Sequence, residues 1–192
     1  MPKFADYSTE GPRSPRLTEA DGLVFRVGAP ADLAAIAEIS AEREEKSAED
    51  CRDELERMQE QIRSGRAQLF VGDHAGTVVG FGKVAHFSAP AGSPENTAPE
   101  GWYLAGVVVR PEQRRRGIGH GLTLARLAWI ATRSGRAYYF ANEGNRVSVD
   151  LHAAFGFVEL MRDFRHPGAQ FTGGRGILFE CDLRKPKGAR HE

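Results

Sequence analysis

Gly101 to Trp129, reading GWYLAGVVVRPEQRRRGIGHGLTLARLAW, constrains this chain more than any other stretch. Tyr103, Leu104, Ala105, Val107, Val108 and Val109 form a short apolar run rich in β-branched residues, which predicts one buried strand too short to cross a membrane. Arg110-Pro111 ends it. Then come Arg114-Arg115-Arg116-Gly117-Ile118-Gly119-His120-Gly121, followed by apolar residues at 118, 122, 125 and 129, the stripe of an amphipathic helix. The first N–H groups of a helix have no partner inside it and carry the positive end of its dipole. A glycine-lined entry lets phosphate oxygens reach those amides, and three arginines add charge beside it. The stretch therefore predicts a phosphate or pyrophosphate site.

Spacing separates the ligands that use such a site. No Gly-Lys-Ser/Thr follows the glycines, so the nucleoside-triphosphate loop is excluded. The order Gly-x-Gly-x-Gly, with no acidic residue about 20 positions on, speaks against a dinucleotide. Arg114, Gly117 and Gly119 meet the pattern Arg/Gln-x-x-Gly-x-Gly/Ala after a strand, which resembles the acyl-CoA pyrophosphate loop of the GCN5-related N-acetyltransferases. An ordinary glycine-rich turn beside a solvated arginine cluster is the plain alternative.

At 192 residues the chain suits one domain with a sizeable core. Lys plus Arg and Asp plus Glu balance at 26 each, so no global field draws it to nucleic acid or to an anionic membrane. No run approaches a membrane span and the first twenty residues hold no signal-peptide core, which predicts a cytoplasmic protein. Cys51 and Cys181 make neither a disulfide framework nor a ligand pattern, and His74, His86, His120 and His166 lack metal spacing, so no metal is expected.

Residues 1–21 read as a flexible arm, 22–184 as the domain and 185–192 as a basic tail. Strands are predicted over Leu23–Val27, Gln68–Gly72, Thr77–Phe87, Tyr103–Val109, Ala137–Ala141, Phe157–Phe164 and Gly176–Leu183. Asp73-His74-Ala75-Gly76 would close a hairpin and Ala89–Pro99 a long loop. A first helix opens at Pro30-Ala31-Asp32 with Leu33, Ile36, Ala37 and Ser40 on one face; a second carries Cys51, Leu55, Met58 and Ile62 and stops at Ser64-Gly65. Asn145–Phe155 is a short fourth helix. Strands first, then alternating strands and helices, predict an α/β (α+β) chain: a mixed sheet of about seven strands with helices on both faces.

This order is also that of the GCN5-related family, and a third match is Asn145-Arg146-Val147-Ser148-Val149-Asp150-Leu151-His152-Ala153-Ala154-Phe155-Gly156-Phe157, similar to its Asn-x-x-Ala/Ser-x-x-Leu-Tyr-x-x-x-Gly-Phe segment. The matches cover residues 23 to 183. His152 stands where many members carry Tyr, as in the phosphinothricin-type antibiotic acetyltransferases. The resemblance implies a single-domain acyl-CoA N-acyltransferase fold and acetyl-CoA as cosubstrate. Its pyrophosphate would lie on the N–H groups of Arg115, Arg116, Gly117, Ile118 and Gly119, with Arg114 at the mouth. Val107 and Val109 would pair through their backbones with the pantetheine arm, one of their amides polarising the thioester carbonyl, and Asn145 and Ser148 would serve the cofactor side.

His152 is the candidate acid for the leaving thiolate, since an ordinary histidine titrates near about 6.5 and a tyrosine near about 10; a packed histidine is the bland alternative. The central strand carries no carboxylate between Glu100 and Glu112, so the amine would lose its proton through water to Glu100 or bind already neutral. Glu42 and Glu45, with the neighbouring Glu44, lie where the family receives its acceptor, and Tyr103 and Phe171 complete the acceptor candidates. Trp102, Tyr103 and Tyr138-Tyr139-Phe140 also read as packing, Asn145 as a helix cap. The expected function is acetyl transfer to a primary amine of a small molecule, of antibiotic, amino-acid or polyamine type. A protein N-terminus as acceptor and a non-catalytic acyl-CoA sensor are the alternatives, and a homodimer is a family habit.

Overall fold

The computed structural model describes residues 15–44, 47–167, 169, 171 and 175–184. Seven strands, β1 (Leu23–Val27), β2 (Ala67–His74), β3 (Thr77–Phe87), β4 (Gly101–Val109), β5 (Arg136–Asn142), β6 (Val158–Met161) and β7 (Gly176–Asp182), form one sheet in the order β1-β2-β3-β4-β5-β7-β6. The helices are α1 (Leu33–Glu44), α2 (Ala48–Arg63), α3 (Ile118–Ala131) and α4 (Arg146–Ala153). The β1/β2, β2/β3, β5/β7 and β6/β7 pairs are antiparallel, and β4 meets β5 in parallel at Tyr103↔Tyr138. The sheet is therefore mixed, as the order of elements predicts. Chain contacts group into two compact units, one holding the described residues up to Ala85 with Leu104–Arg126, the other His86–Tyr103 with the described residues from Leu127 on. The three boundaries among the described residues, after Ala85, Tyr103 and Arg126, fall inside regular elements, β3, β4 and α3.

In the first unit the apolar stripes close one core: Ile36, Ala37 and Ile39 of α1 and Cys51 and Leu55 of α2 pack with Leu69, Val71, Val78, Phe81 and Val108. Ile39 occupies the position in the core that the helical pattern assigned to Ser40, a small shift of the buried face. Ser47 caps α2 by accepting from the Asp50 N–H at 3.0 Å, and Gly65, at φ +72°, lets the chain leave it. The β2–β3 connection is shorter than the four residues expected. Ala75 and Gly76 both take left-handed φ, 51° and 83°, so a two-residue hairpin suffices and the strands run on to His74 and Thr77. Gly121 is the packing glycine of α3: a Cβ there would stand 2.1 Å from the Phe25 ring.

The arm expected over 1–21 has regular structure at its end. Thr18 and Asp21 close a capping box around a 3₁₀ turn, Glu19–Asp21, and the Leu17 N–H donates to the Arg116 carbonyl at 3.1 Å. The basic tail at 185–192 lies outside the described residues.

The second unit is built on alternation along β5. Tyr138 and Phe140 face Tyr103, Phe164, Phe171 and His166, while Tyr139 faces His152, Phe157 and Phe179. β6 is four residues rather than the eight predicted. Past Met161 the chain bends, Arg162 turns back to pair with Glu159 at 2.7 Å, and Arg165 bonds the long loop, through its N–H to Asn96 and its carbonyl to Ala98, both at 2.9 Å. The loop over 89–99 is thus fastened at its far end.

Candidate active site

β4 is anchored where it ends. The Arg110 N–H donates to the Val79 carbonyl at 3.0 Å, and its guanidinium reaches Glu42 at 2.7 Å and Glu38 at 3.5 Å on α1. A 3₁₀ turn, Pro111–Gln113, then leads into the loop. Arg115 at φ +63° and Gly117 at φ +88° put two left-handed residues two positions apart immediately before α3. The first helix bond runs from Gly121 N–H to the Gly117 carbonyl, so the amides of Ile118 and Gly119 precede the ladder. Arg116 gives one nitrogen to Gln113 Oε1 at 2.9 Å, and its buried Nε has no acceptor among the described residues. That orphan donor beside bare amides fits an anionic group. Arg114 folds back, Nε to the Val109 carbonyl at 3.2 Å, so the carbonyl expected to pair with a pantetheine arm carries an internal partner. A shallow cleft here is lined by Ile39, Glu42, Arg43, Val108, Val109 and Arg114.

His152 is 5% exposed on the last turn of α4. Its Nδ1 lies 2.8 Å from the Ser148 carbonyl, which only accepts, so Nδ1 carries a proton and in the neutral ring Nε2 bears the lone pair. The Ser148 hydroxyl is 3.4 Å from the same nitrogen. The ring stacks on Tyr139 at 3.9 Å and meets Phe157 edge-on at 5.5 Å. Asn145 is the cap of α4, its Oδ1 accepting from the Ser148 N–H at 3.2 Å, which is the plain reading of that residue.

The acceptor candidates are less uniform. Glu42 is taken by Arg110, and Glu45 lies outside the described residues. Tyr103, 3% exposed, gives its hydroxyl to the Pro99 carbonyl at 2.6 Å and stacks on Tyr138, so it is a core residue here rather than an acceptor surface. Burial lifts its phenol well above the ordinary range. Phe171 lies against Phe140, Phe164 and the bare Cα face of Gly176. Glu100 is exposed and accepts from the Ser88 hydroxyl at 3.2 Å; that hydroxyl is also 3.3 Å from His86 Nδ1.

Three further residues escape the sequence reading. Tyr139, read as packing, lies under His152, and its buried hydroxyl has no partner among the described residues. Arg126 and Thr123 are completely buried in α3 and bonded to each other at 3.0 Å. The signal for Arg126 was a single charge inside the apolar run LTLARLAWIA.

A mixed seven-stranded sheet whose fourth strand feeds a helix through a glycine turn is the acyl-CoA N-acyltransferase fold. Residues 33–157 match the model of the Acetyltransferase (GNAT) family, and the chain belongs to that family. Mycothiol acetyltransferase of Thermobispora bispora is 33% identical over 108 residues, 55% of this chain, which spans about a third (35%) of that relative's length. Two solved structures share the fold: ribosomal-protein-alanine N-acetyltransferase from Brucella melitensis (TM-score 0.65, 21% identity, 83% of this chain and 99% of that one) and yncA from Salmonella typhimurium with its cofactor acetyl-CoA (0.62, 21%, 88% and 96%). Among the described residues no group of three or more His, Cys, Asp and Glu is placed to hold a metal, and no helix is long and apolar enough to cross a membrane.

Proposed function

We propose that this protein is an acetyl-CoA-dependent N-acetyltransferase that moves an acetyl group directly to a primary amine of a small molecule. The observation that carries the reading is the loop from Arg114 to Gly119, which holds within six residues two left-handed positions, the unladdered amides of Ile118 and Gly119 and the orphan Nε of Arg116. Acetyl-CoA supplies an activated acyl thioester. The backbone of Val107 and Val109 aligns it, and the Val107 N–H is the donor to the carbonyl oxygen as that oxygen gains charge, an interaction worth about 3 to 4 kcal/mol in comparable sites. The amine nitrogen bonds to the carbonyl carbon, the carbon–sulfur bond breaks, and His152, as imidazolium, gives its Nε2 proton to the departing sulfur. The Ser148 carbonyl holds Nδ1–H, so Nε2 is the nitrogen turned to this step. The proton lost by the amine passes through water to Glu100.

Calorimetric titration with acetyl-CoA, dephospho-CoA and pantetheine tests the loop. Wild type is expected to bind acetyl-CoA at micromolar strength and pantetheine poorly, and an Arg114→Ala, Gly119→Asp double variant to lose the acetyl-CoA heat. With binding established, thiol release is measured over a panel of antibiotic, amino-acid and polyamine amines. Binding without thiol release from any amine or peptide N-terminus would make the protein a sensor; no binding by the wild type ends the proposal.

A further inference from the structure

Acetyl transfer leaves one feature without a purpose: an arginine sealed inside the protein. Arg126 is 0% exposed, and a buried charge is tolerated only when its donors are met. Burial pushes its pKa down to about 9, which leaves it cationic at neutral pH. Its partners are all neutral oxygens. Nε donates to Leu122 O at 3.2 Å, Nη2 to Thr123 Oγ1 at 3.0 Å, and Nη1 to two carbonyls on different strands, Gly106 O at 3.1 Å and Lys83 O at 3.3 Å. Room for the guanidinium comes from Gly82, where a Cβ would stand 3.0 Å from Nε.

The bond to Gly106 is the informative one. Gly106 sits in the middle of β4 at φ +62°, a left-handed residue that turns its peptide out of the regular strand. Its carbonyl and the Val107 N–H are the two ends of one planar trans peptide and point in opposite directions. Fixing the oxygen on Arg126 therefore fixes where the Val107 N–H points, which is away from the guanidinium. A cation drawing on the oxygen also makes the N–H a stronger donor, because hydrogen bonds in series polarise one another. At its other end the network reaches the phosphate loop: Thr123 Oγ1, which accepts from Arg126, donates to the Gly119 carbonyl at 2.9 Å in the first turn of α3.

We infer that Arg126 is a positioning residue that aims and strengthens the Val107 amide for the thioester oxygen, and that Thr123 couples this amide to the phosphate-binding turn. The inference rests on the acetyl-CoA reading of the site. It makes α3 a strut between the two ends of the donor, with the pyrophosphate at Gly119 and the thioester at Val107.

The test compares wild type with Arg126→Met, which keeps length without donors, Arg126→Lys, which keeps the charge, and Thr123→Val, which keeps shape. Three quantities are read: kcat and KM for acetyl-CoA, the carbonyl stretch of bound 13C-acetyl-CoA, and the 15N shift and exchange rate of the Val107 amide in the unliganded protein. Arg126→Met is expected to lower kcat about 10²-fold, the scale of losing one oxyanion donor, with KM within about threefold because the phosphate loop still binds. Its bound carbonyl stretch returns toward that of the free thioester, and its Val107 amide signal moves. Arg126→Lys recovers part of kcat, and Thr123→Val loses less than Arg126→Met. A folded Arg126→Met with wild-type kcat and carbonyl frequency overturns the inference. If that variant does not fold, Thr123→Val decides, and an unchanged Val107 amide with unchanged kcat overturns it. Wild type that fails to bind acetyl-CoA sinks the functional reading instead. The unliganded Val107 amide still judges the strut, which is refuted if neither folded variant moves that signal.

Discussion

At the residue scale the proposed chemistry turns on His152. Its Nδ1 is held by the Ser148 carbonyl and its face by Tyr139, which orients the ring and makes Nε2 the nitrogen of the proposed proton transfer. Acid catalysis from Nε2 requires the imidazolium, and turnover is therefore expected to fall as pH rises through the histidine range. His152→Ala should lower turnover about 10²-fold or more and flatten the profile between pH 6 and 9. His152→Tyr should retain activity with its descending limb moved toward the phenol range near about 10. Thiol release across pH checks both, and a wild-type profile in the alanine variant ends the assignment. As a candidate the histidine was legible because Asn145 and Gly156-Phe157 frame it at fixed spacing. Its partner Tyr139 was not, since a tyrosine between two aromatics on a strand reads as bulk. Arg126 was passed over for another reason: a charge on a helix is by habit a solvated one, and its place in the run LTLARLAWIA does not tell that Gly82 makes room for it and the Gly106 carbonyl receives it.

Among the elements, the entry to α1 shows a charge doing structural work. Asp32 accepts from the Ala29 N–H at 2.7 Å and from both ends of the Arg26 guanidinium at 2.7 and 2.9 Å, and Arg26 reaches on to Asp73 of β2 at 2.9 Å. One carboxylate thus ties the start of α1 to β1, and Arg26 carries the tie to β2. These bonds, Arg26 first, hold the Asp32 carboxyl below its usual range. A carboxyl depressed in the fold is protonated first in the unfolded chain, so its contribution is present above the unfolded value of about 4 and is lost as pH falls through the folded one. Asp32→Asn should cost about 1 to 2 kcal/mol at pH 7, moderated because Arg26 keeps 38% of its side chain exposed. Urea melts of the two proteins should converge below about pH 4; a gap of constant size would remove the carboxylate from the explanation. Helix and strand existence was readable throughout from period and caps. What misled was termini: β6 stops at Met161 because Arg162 pairs backward and Arg165 is claimed by Asn96 and Ala98, contacts some 70 residues apart in sequence that no local pattern encodes.

At the scale of the molecule, each compact unit contains one buried cysteine, Cys51 in α2 and Cys181 in β7. They make separate reporters. Cys51 lies in the first turn of a helix, where opening is local, whereas Cys181 pairs with Ala137 in a strand set between β5 and β6 and gives its thiol hydrogen to the Phe155 carbonyl at 3.4 Å. Under native conditions a single-thiol variant bearing Cys51 should label on the order of tenfold faster than one bearing Cys181, because local opening costs less than breaking a ladder. Equal rates would mean that α2 and β7 open together. The family was legible in the sequence, and the glycine turn into α3 with it, because both rest on contiguous residues. The acceptor side was not, since Glu42 and Tyr103 carry partners, Arg110 and Pro99, that only the folded chain brings to them. The two faces of β5 bear on variation. Odd-numbered Tyr139 answers to His152, while even-numbered Tyr138 and Phe140 answer to Tyr103 and to the segment around Phe164, His166 and Phe171. Mutations that remodel that segment meet the strand through its even residues alone. Changes in those loops therefore leave the face of the strand under His152 untouched.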